Sequence, residues 1–231
     1  MKKGFTLSEV LITLGIVGIV SVLTIPAIMK NYKDKVYMTQ LKKIYGQLSE
    51  ATQSMMNDEQ AESFYETTGG VIQSCSDINS GTCEKGEGYF FNKYLKIVQN
   101  NCGQNSKCIG NNYTNAAGDA LPAPTDKYCV QTANGATICS SFNPRVGGID
   151  NNPCLSLIVD VNGPSAPNTT GKDVFAIDVH PDGSLSDYSS GCAPDNKGCD
   201  PTLCNTQNTS IYNAACGCLN KVIEANWKYT D

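Results

Sequence analysis

Gly4-Phe5-Thr6-Leu7-Ser8-Glu9 leads directly into VLITLGIVGIVSVLTIPAIM, residues 10–29. Those 20 residues carry no charge. At about 1.5 Å of rise per residue, a helix of that length spans the roughly 30 Å hydrocarbon core of a bilayer. Lys2 and Lys3 stand before it on a short leader, and an excess of positive charge keeps that end on the cytoplasmic side. The chain beyond Met29 is therefore expected to be exported.

Two plainer readings fit less well. A cleaved secretory signal has an apolar region of about 7–15 residues closed by a small-x-small site; this run is longer and lacks that site. An ordinary signal anchor has no use for Glu9 at the edge of its apolar run, where a carboxylate costs about 2–3 kcal/mol or more depending on depth. The basic leader, Gly4 and the Phe5-Thr6-Leu7-Ser8-Glu9 opening of a long apolar helix resemble the class III signal of type IV pilins and pseudopilins. Ser8 stands where that family more often has an aliphatic residue, a mild departure.

The resemblance implies specific roles. A prepilin peptidase would cut between Gly4 and Phe5 and methylate the new amino group of Phe5, leaving the helix attached. The α-amino group is largely charged at neutral pH and would pair with Glu9 of a neighbouring subunit in a low-dielectric bundle. Pro26 removes a backbone donor and crowds the preceding turn, so the helix is expected to kink or open there, as the stem helix does in pilin filaments. The implied partners are the peptidase, other pilin or pseudopilin subunits and the inner-membrane assembly machinery. The implied location is the bacterial inner membrane before assembly, and a surface or periplasmic filament after it.

With 231 residues, 40% hydrophobic and 17% charged, the chain has room for one membrane helix and one globular domain. The expected organisation is a leader at 1–4, a membrane and filament-core helix at 5–29, an amphipathic stem at 30–62 and an exported head at 63–231. Loss of Lys2 and Lys3 with the leader would move the formal net charge from −5 to −7, which argues against broad nucleic-acid binding.

All twelve cysteines, Cys75, Cys83, Cys102, Cys108, Cys129, Cys139, Cys154, Cys192, Cys199, Cys204, Cys216 and Cys218, lie beyond the apolar helix. An even number in an exported domain reads as a set of up to six disulfides. Zinc is the alternative. It is disfavoured by the lack of a repeated C-x2-C element and by His180 being the only histidine.

Tyr37, Leu41, Ile44, Tyr45, Leu48, Ala51, Thr52 and Met55 recur at steps of three and four, the core-facing stripe of a helix over about 31–60. From Ser63 to Asn152 the Gly- and Asn-rich sequence reads as a long disulfide-tied loop region with one clear hairpin, Cys129 to Cys139 about Asn134-Gly135. If Ala133-Asn134-Gly135 form a three-residue loop with Gly135 left-handed, position 132 faces 136 and Cys129 faces Cys139. A two-residue turn would put the two cysteines on opposite faces. Cys102 and Cys108 are candidates for a small loop of their own.

Cys154–Val161 and Asp173–His180 are β-branched runs that read as strands, and Pro181-Asp182-Gly183 is a turn leading to a short return strand at Ser184-Leu185. His180 is expected at a strand end on the surface. Between the strands, Asp160-Val-Asn162-Gly163 through Asp173 offers oxygen ligands at short spacing. Asx-turn geometry is the favoured reading. The alternative is a calcium ion held by Asp160, Asn162 and Asp173; no other cofactor is expected. A similar Asp-x-Asn-Gly to Gly-x-Asp segment joins strands in many pilin-like proteins. Ile211 to Ala225 is expected to form a short helix, with Trp227 plugging the core.

The expected fold is α+β: a long N-terminal helix, first transmembrane and then amphipathic, packed under an antiparallel sheet with disulfide-tied loops. With one histidine, no Gly-x-Ser-x-Gly element and no phosphate-binding loop, no catalytic constellation is found. The reading is a structural subunit of a type IV pilus-like filament. A type II secretion pseudopilin and an anchored or tip-located binding module are the alternatives, with an anchored enzyme last.

Overall fold

The computed structural model describes residues 4–71, 84–100, 102, 108–124, 128–143, 154–189, 197–206 and 209–229. The chain divides into two compact units, Met1–Val36 and Tyr37–Asp231. The first is the beginning of helix α1, Leu7–Glu59. The helix continues through Pro26 rather than opening there as the proline suggests. Thr13 and Thr24 return their hydroxyls to the carbonyls of Val10 and Val20, both at 2.9 Å, so their polar groups are satisfied within the helix.

In the second unit the remainder of α1 carries the expected stripe. Tyr37, Leu41, Ile44, Leu48, Ala51 and Met55 are buried, as is Met38 beside them. They pack with Val130, Ile138, Leu157, Val159, Phe175 and Ile177 of the sheet in one core. Tyr45 sits at the margin of the stripe, edge-on to Trp227 with ring centroids 5.5 Å apart. Trp227 is only partly buried, a flanking contact rather than a core plug.

The sheet has six antiparallel strands: β1 Ile97–Gln99, β4 Tyr128–Thr132, β5 Thr137–Asn143, β6 Cys154–Asp160, β7 Val174–Val179 and β8 Leu185–Asp187, in the order β1-β4-β5-β6-β7-β8. Two further strands, β2 Tyr113–Thr114 and β3 Ala120–Leu121, pair with each other as a separate two-stranded sheet, and Thr114 also bridges to Thr169. Side chains alternate across β6 and β7. Leu155, Leu157, Val159, Phe175, Ile177 and Val179 face the α1 core, while Ile158, Val174 and Ala176 face a second cluster with Tyr113, Leu121, Ile211 and Ala214. The central strands are thus covered on both sides, so they read as near-continuous apolar runs.

The Cys129–Cys139 hairpin has the register that a three-residue loop requires. Gln131 lies opposite Thr137 and Cys129 opposite Cys139, Thr132 N–H donates to Ala136 O at 2.9 Å, and Gly135 has φ +89°. Other expectations are corrected. The stretch from Ser63 to Asn152 holds more than a loop and a hairpin: it contributes helix α2, Glu87–Tyr94, strands β1 to β4 and a β5 that runs on to Asn143. Phe90 of α2 meets Phe64 edge-on at 5.3 Å, and Phe91 stacks on Tyr128 at 6.4 Å, so the element is held by aromatic packing that short-range periodicity does not reveal. His180 is buried rather than on the surface, 2% exposed, with Nε2 2.7 Å from the Ser186 hydroxyl on the return strand.

The C-terminal helix is two helices, α3 Ile211–Ala215 and α4 Cys218–Glu224. Gly217 breaks it with φ +84°, and a Cβ there would lie 2.2 Å from the Asp200 carbonyl oxygen. Its N–H and that of Asn220 donate to the two Asp187 carboxylate oxygens, at 2.8 and 2.9 Å. The β8 carboxylate therefore caps α4 where the glycine cannot.

Candidate functional site

The N-terminal unit is built for a non-aqueous environment. Among the described residues α1 is the one helix long and apolar enough to cross a membrane, and none of its apolar window is buried within the chain. Phe5 is 89% exposed, and Leu7, Leu14, Ile19, Val22 and Leu23 are likewise open. Unburied apolar area of this extent in one segment marks a lipid- or partner-facing surface. A Cβ added to Gly4 would meet nothing within 4 Å beyond its chain neighbours; Gly4, Phe5 and Pro26 are all exposed.

Glu9 lies at the helix start, where its Oε2 accepts the Thr6 N–H at 2.8 Å and the Thr6 hydroxyl at 2.9 Å. The Glu9 N–H in turn donates to the Thr6 hydroxyl at 3.3 Å. This is a reciprocal capping box, with Thr6 as the cap and Glu9 three residues on, satisfying donors that a helix N-terminus leaves free. Sequence reasoning missed Thr6, although the Thr-x-x-Glu spacing was its signal. Glu9 therefore has a local role that an ordinary anchor helix could also use.

The second candidate region is the loop between β6 and β7. Thr114 N–H donates to Asn168 O and Thr170 N–H to Thr114 O, both at 3.0 Å, tying the loop to β2. Asp160 and Asp173 are fully buried at its two ends. Asp173 accepts the N–H groups of Asn168 at 2.9 Å and Thr169 at 2.7 Å, five and four residues before it, and so clasps the loop from its far end. Asp160 Oδ2 accepts the Tyr113 hydroxyl at 2.9 Å. Burial, followed by the repulsion of the Asp173 carboxylate, pushes the Asp160 carboxyl well above its usual range. Asn162 donates to the carbonyls of Ser165 at 2.7 Å and Ala166 at 3.3 Å. Tyr113 and Asn168 are the members of this region that the sequence reading left without a role. Among the described residues no group of three or more His, Cys, Asp or Glu side chains comes together.

Four disulfides are formed among the described residues: Cys102–Cys108, Cys129–Cys139, Cys199–Cys216 and Cys204–Cys218. The last two tie Cys199, Cys204, Cys216 and Cys218 to one another, which leaves none of these four thiols for zinc. Cys75, Cys83 and Cys192 lie outside the described residues, as does the side chain of Cys154.

Comparison with known families matches residues 1–25 to the prokaryotic N-terminal methylation motif, the prepilin-type signature of type IV pilins and pseudopilins. No curated protein and no solved structure matches the chain.

Proposed function

We propose that this chain is a structural subunit of a type IV pilus-like filament, stored in the inner membrane through its apolar helix and assembled through that same helix after processing. The methylation motif at residues 1–25 carries the reading. It supports a pilin- or pseudopilin-like protein, a structural class, acted on by a prepilin peptidase and assembled with other such subunits. The unburied apolar face of α1 is in keeping with membrane anchoring before assembly. In this reading Met1–Gly4 is the leader, Phe5 the mature N-terminus, and Glu9 the partner of a neighbour's Phe5 amine.

Mass spectrometry of the chain from its native envelope tests the reading. The expected mature chain starts at N-methylated Phe5 and is recovered in sheared filaments. Retention of Met1, or a cut after Met29, overturns it. Replacement of Gly4 by a bulky residue is expected to leave a full-length membrane protein.

A further inference from the structure

The Cys204–Cys218 bridge differs from the short-range bridges in what lies beside it. Cys102, Cys108, Cys129 and Cys139 are at most 1% exposed, so those two bridges are sealed from solvent. Cys204 is only partly buried, and both Cys204 and Cys218 line a cavity of about 350 Å³ between the β2–β3 turn, the end of the β6–β7 loop and α4. That volume suits a small ligand. Gly171 keeps the sulfurs open to it: its φ is +76°, and a Cβ there would lie 3.0 Å from Cys204 Sγ and 3.2 Å from Cys218 Sγ.

A fixed donor addresses the Cys204 sulfur. Asn205 Oδ1 accepts the Ala116 N–H at 3.2 Å and the Thr170 hydroxyl, so flipping the amide would set its NH₂ against another N–H donor. Asn205 Nδ2 is thereby committed to Cys204 Sγ, 3.2 Å away. A donor at that sulfur favours the negative charge that builds up when a thiolate attacks. The cavity is also electrostatically one-sided. Among the described residues its lining carries Lys172 and Lys221 and no Asp or Glu, in a chain whose formal net charge is −5. Lys221 follows Cys218 by three positions on α4, which places both on one helix face.

We propose that this cavity is a thiol-exchange site for small thiols that carry a second, anionic group such as a carboxylate or sulfonate. The thiolate attacks Cys204 Sγ, and a new S–S bond forms as the bond to Cys218 Sγ breaks. The bonding pair leaves on Cys218, which takes a proton from water. The products are a mixed disulfide on Cys204 and a thiol on Cys218, with no net oxidation or reduction. The Ala214 carbonyl, 3.6 Å from Cys218 Sγ, is placed to accept from that thiol. The two ammonium groups raise the local concentration of an anionic thiol and favour its thiolate form.

The test exposes the oxidised full-length chain in detergent to 2-mercaptoethanesulfonate, an anionic thiol, or to cysteamine, a cationic one, at equal thiolate concentration. Early time points are quenched with N-ethylmaleimide and mapped as peptides by mass spectrometry. The sulfonate adduct is expected on Cys204 and maleimide on Cys218, while Cys102–Cys108 and Cys129–Cys139 stay closed. The anionic thiol is expected to react about tenfold faster than the cationic one, the low end of what a charged cleft does to rates. Lys172→Gln combined with Lys221→Gln is expected to remove most of that preference. Salt at about 0.5 M is expected to do the same to the wild type, a readout that does not depend on how the variant folds. All four described bridges opening at one rate, Cys199–Cys216 opening first, or equal rates with the two thiols overturns the site.

Discussion

Thr6 and Glu9 close the start of α1 on each other: the Glu9 carboxylate takes both the N–H and the hydroxyl of Thr6, at 2.8 and 2.9 Å. A carboxylate at the mouth of an apolar helix thus has two uses, one inside its own chain and one toward a second subunit. They are separable because a capping box works nearly as well with Gln as with Glu, while an ion pair with an amine does not.

Glu9→Gln and Glu9→Ala are both expected to leave processing and membrane insertion intact and to abolish filaments when expressed alone. An amine left unpaired in an apolar bundle costs on the order of 3–5 kcal/mol, roughly 100-fold or more in an association equilibrium. Sheared filament yield against total membrane-bound subunit is the measurement. Filaments from Glu9→Gln but not from Glu9→Ala would assign Glu9 to the cap alone.

Leu48 is wholly buried on the stem stripe. Leu48→Ala is expected to destabilise the second unit by about 2–5 kcal/mol, the transfer and cavity cost of a buried leucine. Urea unfolding followed by Trp227 fluorescence reads it. A loss under about 0.5 kcal/mol would mean that α1 does not hold the sheet as described.

Replacing Cys129 and Cys139 together by serine is expected to leave the hairpin paired but to cost about 2–3 kcal/mol, the loop-closure value for a ring of that size. Non-reducing peptide mapping should recover Cys129–Cys139 and Cys102–Cys108 as separate small fragments from the wild type. Finding these cysteines free, or bound to stoichiometric zinc, would overturn the pairing.

Burial pushes the carboxyl of Asp178 up to about 6 and that of Asp187 up to about 7. Both exceed the ordinary value of 3.8, so the folded state holds these protons more tightly than the unfolded chain. The stabilisation is complete below about pH 4 and is lost as pH rises through the folded values. Unfolding free energy is therefore expected to fall between about pH 4 and 7 through these two groups. Asp178→Asn should flatten that slope, because the Ser156 hydroxyl now donating to Asp178 Oδ1 at 2.6 Å can turn to accept from the amide. An unchanged slope would remove Asp178 from the account.

What the sequence reveals here depends on the range of the interaction. The stem stripe is written in local periodicity, the two central strands in contiguous β-branched runs, and the Cys129–Cys139 register in turn geometry, so all are legible residue by residue. Helix α2 is two turns of Glu-Gly-Tyr-Phe-Phe-Asn-Lys-Tyr held by Phe64 and Tyr128, partners that no local pattern names. His180 looks like a strand-end surface residue until β8 folds back and brings Ser186 to it. In the candidate sites, the motif at residues 1–25 is legible because its signal is contiguous. The packing of Asn168 against Gly110, 58 positions earlier, becomes visible only when the loop is closed against β2.

The four bridges among the described residues differ in how much chain must be present before they can form. Cys102–Cys108 and Cys129–Cys139 span 6 and 10 positions, whereas Cys199–Cys216 and Cys204–Cys218 interleave within the final 33 residues. For a chain whose residues beyond the apolar helix enter an oxidising compartment in sequence order, the short pairs can close early. The interleaved pairs must wait for Cys216 and Cys218. The Cys204–Cys218 bridge thus requires that the chain be out as far as Cys218, and a subunit stalled before that point cannot acquire it.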